Sequence, residues 1–423
     1  MGDILTESKI VSEYPNPDRR ITVRLKVLGV EKRGLENEVE GATKQYIRKA
    51  GQFIYGKQNF HKGAFGIVPP ELDGFESSSD LPAFDVDKTC LPEFIFYFFK
   101  QGNFYLELSK IASGVATQRI NTTQFFELEL LLPDIKTQRQ LISNIQILES
   151  KGSELSIELT HQLTLVKKLR QQLLHDAVQG KLVEQNATDE AASELLKKIK
   201  AEKAKLISEK KLKKEKELPP IKLEEIPFKI PKNWVWCCFA EIVVIESNLV
   251  SPFNFPNSPH IAPDNIEKNT GRLLKYITVL EDNVQSANHY FYSGQLIYSK
   301  VRPKLNKVVK VDFEGLCSAD MYPLRPLVNT DYIQQCMLST YFLNEVDRFD
   351  NRVKMPKINQ NQLSQIPIPL PPLAEQNRIV YKLNELMQHC NELEASIKKS
   401  ESQNEKLLQQ VLREALRKEP VEE

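Results

Sequence analysis

Two stretches of this chain place apolar residues alternately four and three apart. The first runs through Leu141, Ile145, Leu148, Gly152, Leu155, Leu159, Gln162, Val166, Leu169 and Leu173. The second runs through Ile379, Leu383, Leu386, Cys390, Leu393, Ile397, Ser400, Asn404, Leu407 and Val411, each 238 positions further on, without a gap. Such a repeat, held over about five heptads, makes a narrow seam that is stable only when another helix covers it. The lead-ins repeat as well: Ile120-Asn121, Leu132-Pro133 and Gln138-Arg139 in one copy, Ile358-Asn359, Leu370-Pro371 and Gln376-Asn377-Arg378 in the other. Two separate amphipathic core helices would not need a common register. The seam is therefore expected to join the copies, Leu141, Ile145, Leu148, Leu155, Leu159, Val166 and Leu169 against Ile379, Leu383, Leu386, Leu393, Ile397, Leu407 and Val411.

The predicted fold class is α+β, with two mixed α/β domains separated by an antiparallel coiled coil and related by a pseudo-twofold repeat. The first domain covers 1–133. In it Ile21 to Val27 alternates like a half-buried strand, Gly51 to Lys57 is a strand between glycines, and Pro92 opens an aromatic helix through Phe99. Those aromatics fit a core better than a base-stacking surface. A long helix over 134–180 stops at Gly180. A charged helical linker, 181–218, capped by Thr188 or Asp189, reads as a solvated helix until Pro219-Pro220 breaks it. The second domain, 219–371, repeats the landmarks: Ala240 to Val243 matches Gly2 to Leu5, and Gly294 to Lys300 matches the Gly51 segment. Its lead, Pro231 to Trp236, has no match in the first domain, whose repeat is expected to start a few residues short. The second long helix occupies 372–423, after the stiff Ile366-to-Pro372 segment.

Length and composition narrow the function. At 423 residues the chain has room for two or three cores, and with 27% charged and 41% hydrophobic residues it reads as a globular protein. Net charge is +1, so any polyanion contact must come from local clusters of Lys and Arg. No run is long and apolar enough for a membrane span and no basic-then-apolar leader is present, so a cytoplasmic location without membrane contact is expected. The six cysteines, Cys90, Cys237, Cys238, Cys317, Cys336 and Cys390, lack metal or disulfide spacing. The histidines, His61, His161, His175, His260, His289 and His389, are scattered. There is no Gly-rich phosphate loop, and no Pro-Pro pair has the Asn or Asp plus aromatic setting of an adenine-methylating loop. No catalytic or metal site is expected.

Ile368-Pro369-Leu370-Pro371-Pro372-Leu373-Ala374-Glu375-Gln376-Asn377-Arg378 resembles the start of the distal conserved helix in specificity subunits of type I restriction-modification systems. Leu132-Pro133 to Gln138-Arg139 resembles the central conserved helix, and Gln179-Gly180-Lys181-Leu182 its end. The turn from Ser113 to Asn121 resembles the close of one target recognition domain, and Asn233 to Trp236 the start of the next, so the likeness spans the chain. One departure is Asn351 to Pro356, which replaces a Gly-bearing turn. The resemblance implies that each domain reads half of a bipartite site on double-stranded DNA. The helices would set the spacing and dock two methyltransferase subunits, which restriction subunits join. S-adenosylmethionine, ATP and Mg are expected on those partners and no cofactor on this chain. A helix of about 40 residues spans about 60 Å, against about 34 Å for a turn of B-DNA.

DNA contact needs Arg, Lys, Asn or Gln on rigid elements. The candidates are Lys57, Asn59, Lys62 and Arg119 in the first domain, and Lys300, Arg302, Lys304, Lys307, Lys354 and Lys357 in the second. Lys57 and Lys300 close equivalent strands, which favours contact over a merely solvated position. The competing reading is a coiled-coil adaptor with protein-binding globular ends. Loss of DNA affinity on mutating Arg302 and Lys304 separates the two.

Overall fold

The computed structural model describes residues 1–34, 44–101, 104–113, 118–212, 218–222, 224, 226–349 and 356–416. It divides into two compact units, Met1–His161 with Ile397–Glu423, and Gln162–Ser396.

The first unit holds a four-stranded antiparallel sheet in the order Leu5–Glu7, Ala83–Val86, Phe53–Tyr55, Phe65–Ile67. Phe53, Ile54 and Tyr55 are buried on both faces, which is why this short strand carries no polar residue. The helix Pro92–Lys100 starts on its proline and buries Phe94, Ile95, Tyr97 and Phe99. Phe53 and Phe125 stack with ring centroids 5.9 Å apart, and Phe60 meets Phe99 edge to face at 4.9 Å. The aromatic run is thus core, as its sequence implied.

The second unit repeats this sheet in the same strand order: Val243–Ile245, Met321–Pro326, Leu296–Ser299, Val308–Lys310. A five-stranded sheet is added, ordered Leu249–Val250, Asn288–Phe291, Gly315–Cys317, Pro259–Ile261, Ile277–Thr278. Val235–Cys238 pairs antiparallel with Pro367–Leu370.

The charged stretch after Gly180 is not simply solvated. Its helix, Ala192–Ser208, puts Ala192, Leu196 and Ile199 into the core with Trp234 and Phe239, because these apolar positions three and four apart survive among the lysines. Lys203 lays its stem on that surface and donates to the Ala240 carbonyl at 2.6 Å. Neither Thr188 nor Asp189 caps the helix; its N-cap is Ala191, and Asp189 instead pairs with Arg378 at 2.6 Å.

The long helices are Ile135–Val178 and Leu373–Leu416. In the first unit Ile142 and Ile145 share a core with Leu412 and Leu416, and Asn404 Nδ2 donates to the Gly152 carbonyl at 2.9 Å. In the second, Leu174 and Ala177 share one with Ile379 and Leu383, and Arg170 reaches Asn391 at 2.8 Å and Glu394 at 3.0 Å. Low numbers meet high ones each time, so the helices run antiparallel within each unit.

One of the two expected columns of the seam is displaced. Ile145, Leu159, Val166, Leu383, Ile397 and, at its start, Ile379 are buried; Leu141, Leu386 and Val411 are half-buried. Leu148, Leu155, Leu169, Leu393 and Leu407 are instead 39% to 61% exposed. Their place is taken one residue further along by Glu149, Ser156, Arg170, Glu394 and Leu408. The cause is polar. Glu149 takes Tyr97 OH at 3.0 Å and Lys100 Nζ at 2.6 Å, and Arg170 takes Glu394, so charged residues occupy the inner flank that an apolar count assigns to leucine.

Candidate nucleic-acid interface

The strand Phe53–Tyr55 runs out through Gly56 into Lys57. There the Lys57 N–H donates to the Asp80 carbonyl at 2.9 Å, and the Lys57 carbonyl accepts from Ile120 N–H at 2.9 Å. Ile120 follows Arg119, whose Nη1 lies 3.8 Å from Asp80 Oδ1. In the second unit the Lys300 N–H donates to the Asp320 carbonyl and the Lys300 carbonyl accepts from Ile358 N–H, both at 3.0 Å. Lys357 Nζ lies 3.0 Å from Asp320 Oδ1. Each unit therefore presents one construction: a strand-end lysine, a carboxylate beside it, and a cation from the segment that leads back to the long helix.

The segment after each lysine is also shared. Asn59 and Arg302 precede the short 3-10 turns Phe60–Lys62 and Pro303–Leu305, which end on the left-handed residues Gly63 (φ 80) and Asn306 (φ 46). At Gly63 a Cβ would come within 2.9 Å of the Val27 N, so the glycine admits the neighbouring loop. That loop donates from Lys26 N–H to the Lys62 carbonyl and from Val27 N–H to the Gly63 carbonyl, each at 2.8 Å. Lys26 and Val27 both hold φ 58, a conformation uncommon in any residue with a side chain and rarer still in β-branched valine.

The candidates differ in what their charges do. Lys62 and Arg119 are exposed, while Lys57 and Asn59 are half-buried. Arg302 is exposed in a left-handed conformation, its N–H held by the Pro356 carbonyl at 2.8 Å. Lys304, also exposed, pairs with Asp347 at 3.3 Å. Lys300 donates to the Ala319 carbonyl at 2.6 Å and lies over the Tyr322 ring at 5.1 Å. Lys307 turns to the Pro263 carbonyl at 2.7 Å and to Asp264 at 3.2 Å, with its side chain only 13% exposed. Lys354 lies outside the described residues. The structure thus joins Lys57 with Arg119, and Lys300 with Lys357, while Lys307 is engaged within its own domain.

Sequence reasoning passed over three residues: Lys26, Asp80 and Asp320. The aspartates could have been found by noticing that each precedes an apolar strand and lies 240 positions from its counterpart. Exposed ion pairs of this kind contribute about 0 to 1 kcal/mol, so a phosphate can readily replace the carboxylate. Burial and the Lys300 ammonium lower the imidazole pKa of His289 in the five-stranded sheet, and burial, with Lys62, does the same for His61. His260 Nδ1 lies 2.6 Å from Asp282, but among the described residues no group of three His, Cys, Asp or Glu side chains could hold a metal. Among them, too, no helix is long and apolar enough to cross a membrane.

Two mixed domains with a common sheet order, each ending in one of two antiparallel-paired long helices and each carrying the same basic strand-end construction, define a duplicated recognition protein. The family model for the type I restriction modification DNA specificity domain matches residues 246–401. The chain is 33% identical over 321 residues to the EcoDI specificity subunit of Escherichia coli, covering 76% of this chain and 68% of that one. It is also 33% identical over 250 residues to the Escherichia coli EcoAI specificity subunit, covering 55% and 42%. In fold it resembles the HsdS subunit of Thermoanaerobacter tengcongensis, with a TM-score of 0.57 at 15% identity over 98% of this chain and 95% of that one. A second chain, from work on complex assembly and conformational transition of the type I R-M system, gives 0.62 at 17% identity over 98% and 96%. The chain belongs to the family of type I restriction enzyme specificity subunits.

Proposed function

We propose that this chain reads DNA for a type I restriction-modification complex, each mixed domain reading one half of a bipartite site. The paired long helices set the spacing between the half-sites and dock two methyltransferase subunits, with restriction subunits joining them in the cytoplasm. The chain performs no catalysis itself; S-adenosylmethionine, ATP and Mg belong to the partners. The observation that carries the reading is the repeated strand-end construction, Lys57, Asp80 and Arg119 in one domain and Lys300, Asp320 and Lys357 in the other. It sits on a common frame, while the residues around it differ, Asn59 facing Arg302 in the alignment and His61 facing Lys304. A shared frame with unlike side chains suits two readers of unlike sequences.

The test is methylome sequencing of a host with and without this chain, supplied with its methyltransferase partner. Loss of a single bipartite adenine motif is the expected result. A methylome unchanged by removing the chain, although the chain assembles with the methyltransferase in the host that carries it, overturns the reading in favour of a protein-binding adaptor.

A further inference from the structure

Each unit carries an outer hairpin whose tip docks on the basic turn that follows the strand-end lysine. In the first unit Ile21–Val23 pairs antiparallel with Val30–Lys32, and the tip between them is closed by Arg24 N–H donating to the Gly29 carbonyl at 2.9 Å. In the second Ile266 bridges Leu273, and the tip is closed by Glu267 N–H donating to the Arg272 carbonyl at 3.0 Å. One left-handed residue of each tip makes the docking bond. Val27 (φ 58) donates its N–H to the Gly63 carbonyl at 2.8 Å, and Asn269 (φ 61) to the Asn306 carbonyl at 3.2 Å. A lysine directly precedes each docking residue, Lys26 or Lys268, and a left-handed glycine stands two places after it, Gly29 (φ 94) or Gly271 (φ 72).

Both tips are held firmly. At Gly66 a Cβ would come within 2.8 Å of Val30 Cγ2, so the first hairpin lies pressed against the strand Phe65–Ile67. In the second, Gln334 Nε2 donates to the Gly271 carbonyl at 3.3 Å, and a Cβ at Gly271 would meet that nitrogen at 2.8 Å. The docks also carry costs that stability alone does not explain. Lys26 and Val27 are left-handed in succession, and Asn306 is fully buried with both amide atoms unpartnered. Such costs gather where a segment is shaped for contact with something else.

The exposed side chains of the tips are of two kinds. Arg24 is held by Glu31 at 3.1 Å and Arg272 by Glu267 at 3.6 Å, whereas Lys26 and Lys268 are exposed and, among the described residues, have no carboxylate partner. The position after the docking residue is exposed in both tips but unlike: Leu28, 69% exposed, in one and Thr270 in the other.

We infer, resting on the DNA-reading role proposed above, that the two tips are a second reading element, in which Lys26 and Lys268 meet backbone phosphate while Leu28 and Thr270 meet base edges. A two-stranded ribbon fits the major groove, and like lysines beside unlike apices divide positioning from specificity. Leu28 has no polar side-chain atom, so the group it recognises is the C5-methyl of thymine. The half-site of the first domain therefore contains a thymine whose methyl group is read.

The probe is DNA carrying the site that the assembled methyltransferase complex modifies, with each thymine replaced in turn by deoxyuridine, which lacks only that methyl. One replacement is expected to weaken binding of the wild-type complex by about fourfold, the worth of one buried carbon. With Leu28→Ala the same replacement changes nothing. Lys26→Gln and Lys268→Gln each leave the modified motif intact and shrink the slope of log K against log salt by about 0.9, and Lys26→Arg restores it. The inference fails if no thymine replacement matters, if Leu28→Ala responds as wild type does or loses all binding, or if the lysine variants keep the full slope. The wild-type arm needs no substitution in the protein, so a misfolded variant cannot imitate its result. A wild-type complex that binds unrelated DNA as tightly as its modified site sinks the DNA-reading role itself, whereas an intact motif with unresponsive tips sinks only their part in it.

Discussion

Gln138 and Gln376, 238 positions apart, make the same two hydrogen bonds. Gln138 Oε1 accepts from Leu91 N–H at 2.8 Å while its Nε2 donates to the Pro133 carbonyl at 2.8 Å. Gln376 Oε1 accepts from Asn329 N–H at 3.0 Å while its Nε2 donates to the Pro371 carbonyl at 2.9 Å. Leu91 and Asn329 are counterparts, as are Pro133 and Pro371, so each fully buried amide ties the start of a long helix to the helix at the edge of its own sheet. Gln138→Leu and Gln376→Leu each leave a main-chain donor and acceptor unpaired, at about 1 to 3 kcal/mol per orphaned group. Thermal unfolding should fall for both variants. A melting temperature unchanged in either would mean that the tie contributes nothing.

The strand-end construction predicts opposite effects from neighbouring substitutions. Lys357→Ala removes a cation from the proposed DNA surface, and if it meets phosphate the slope of log K against log salt should shrink by about 0.9. Asp320→Ala removes the carboxylate that competes with phosphate for Lys357, so affinity for unrelated DNA should rise. Arg119→Ala and Asp80→Ala should repeat the pattern in the first domain. Salt-dependent titrations of the assembled methyltransferase complex check this; equal weakening by the lysine and aspartate variants would show that the pair is only a structural brace.

Much of this frame was legible because it was written twice. The aromatic core helix, the two sheets' shared landmarks and the long helices follow from periodicity and a constant offset. The paired glutamines stood in the repeated lead-ins, but their partners did not, since hydrogen bonds to main-chain groups leave no trace in side-chain pattern. Asp80 and Asp320 were hidden for another reason. The offset between copies is 243 at Lys57 and Lys300, 240 at the aspartates and 238 at Arg119 and Lys357, so insertions inside the domains blur the match just where the surfaces have diverged. Lys26 could not be found at all, since its position beside Lys62 depends on a left-handed loop admitted by Gly63. Lys307 looked like one more cation in a basic run, yet its carbonyl partner at Pro263 comes from a distant turn.

A pH effect follows from His289. Burial, helped by Lys300, lowers its pKa from the ordinary value of 6.5. The unfolded chain therefore takes up the proton at higher pH than the folded one. Stability is complete above that ordinary value and is lost as pH falls through it. Melting temperature should drop between about pH 7.5 and 5.5, and His289→Gln should make that drop shallower. An identical pH profile in the variant would show that protonation of His289 is not resisted by the fold.

The displaced seam gives the sharpest separation between what apolar spacing suggests and what the helices do. Leu159 and Leu155 both belong to the four-three repeat and differ by a single position type, yet Leu159 is buried and Leu155 is 45% exposed. If the covered face runs through Ile145, Leu159, Ile397 and the polar contacts of Arg170 and Asn404, Leu159→Ala should cost about 2 to 5 kcal/mol. Leu155→Ala and Leu407→Ala should stay within about 0.5 kcal/mol. A helix pair in the register of leucines alone would reverse that order, with Leu155 and Leu407 the damaging sites. Denaturant titrations of the three variants distinguish the registers. Should Leu155→Ala prove harmful only in the assembled complex and silent in the isolated chain, the exposed leucine column would be the face on which a partner subunit rests.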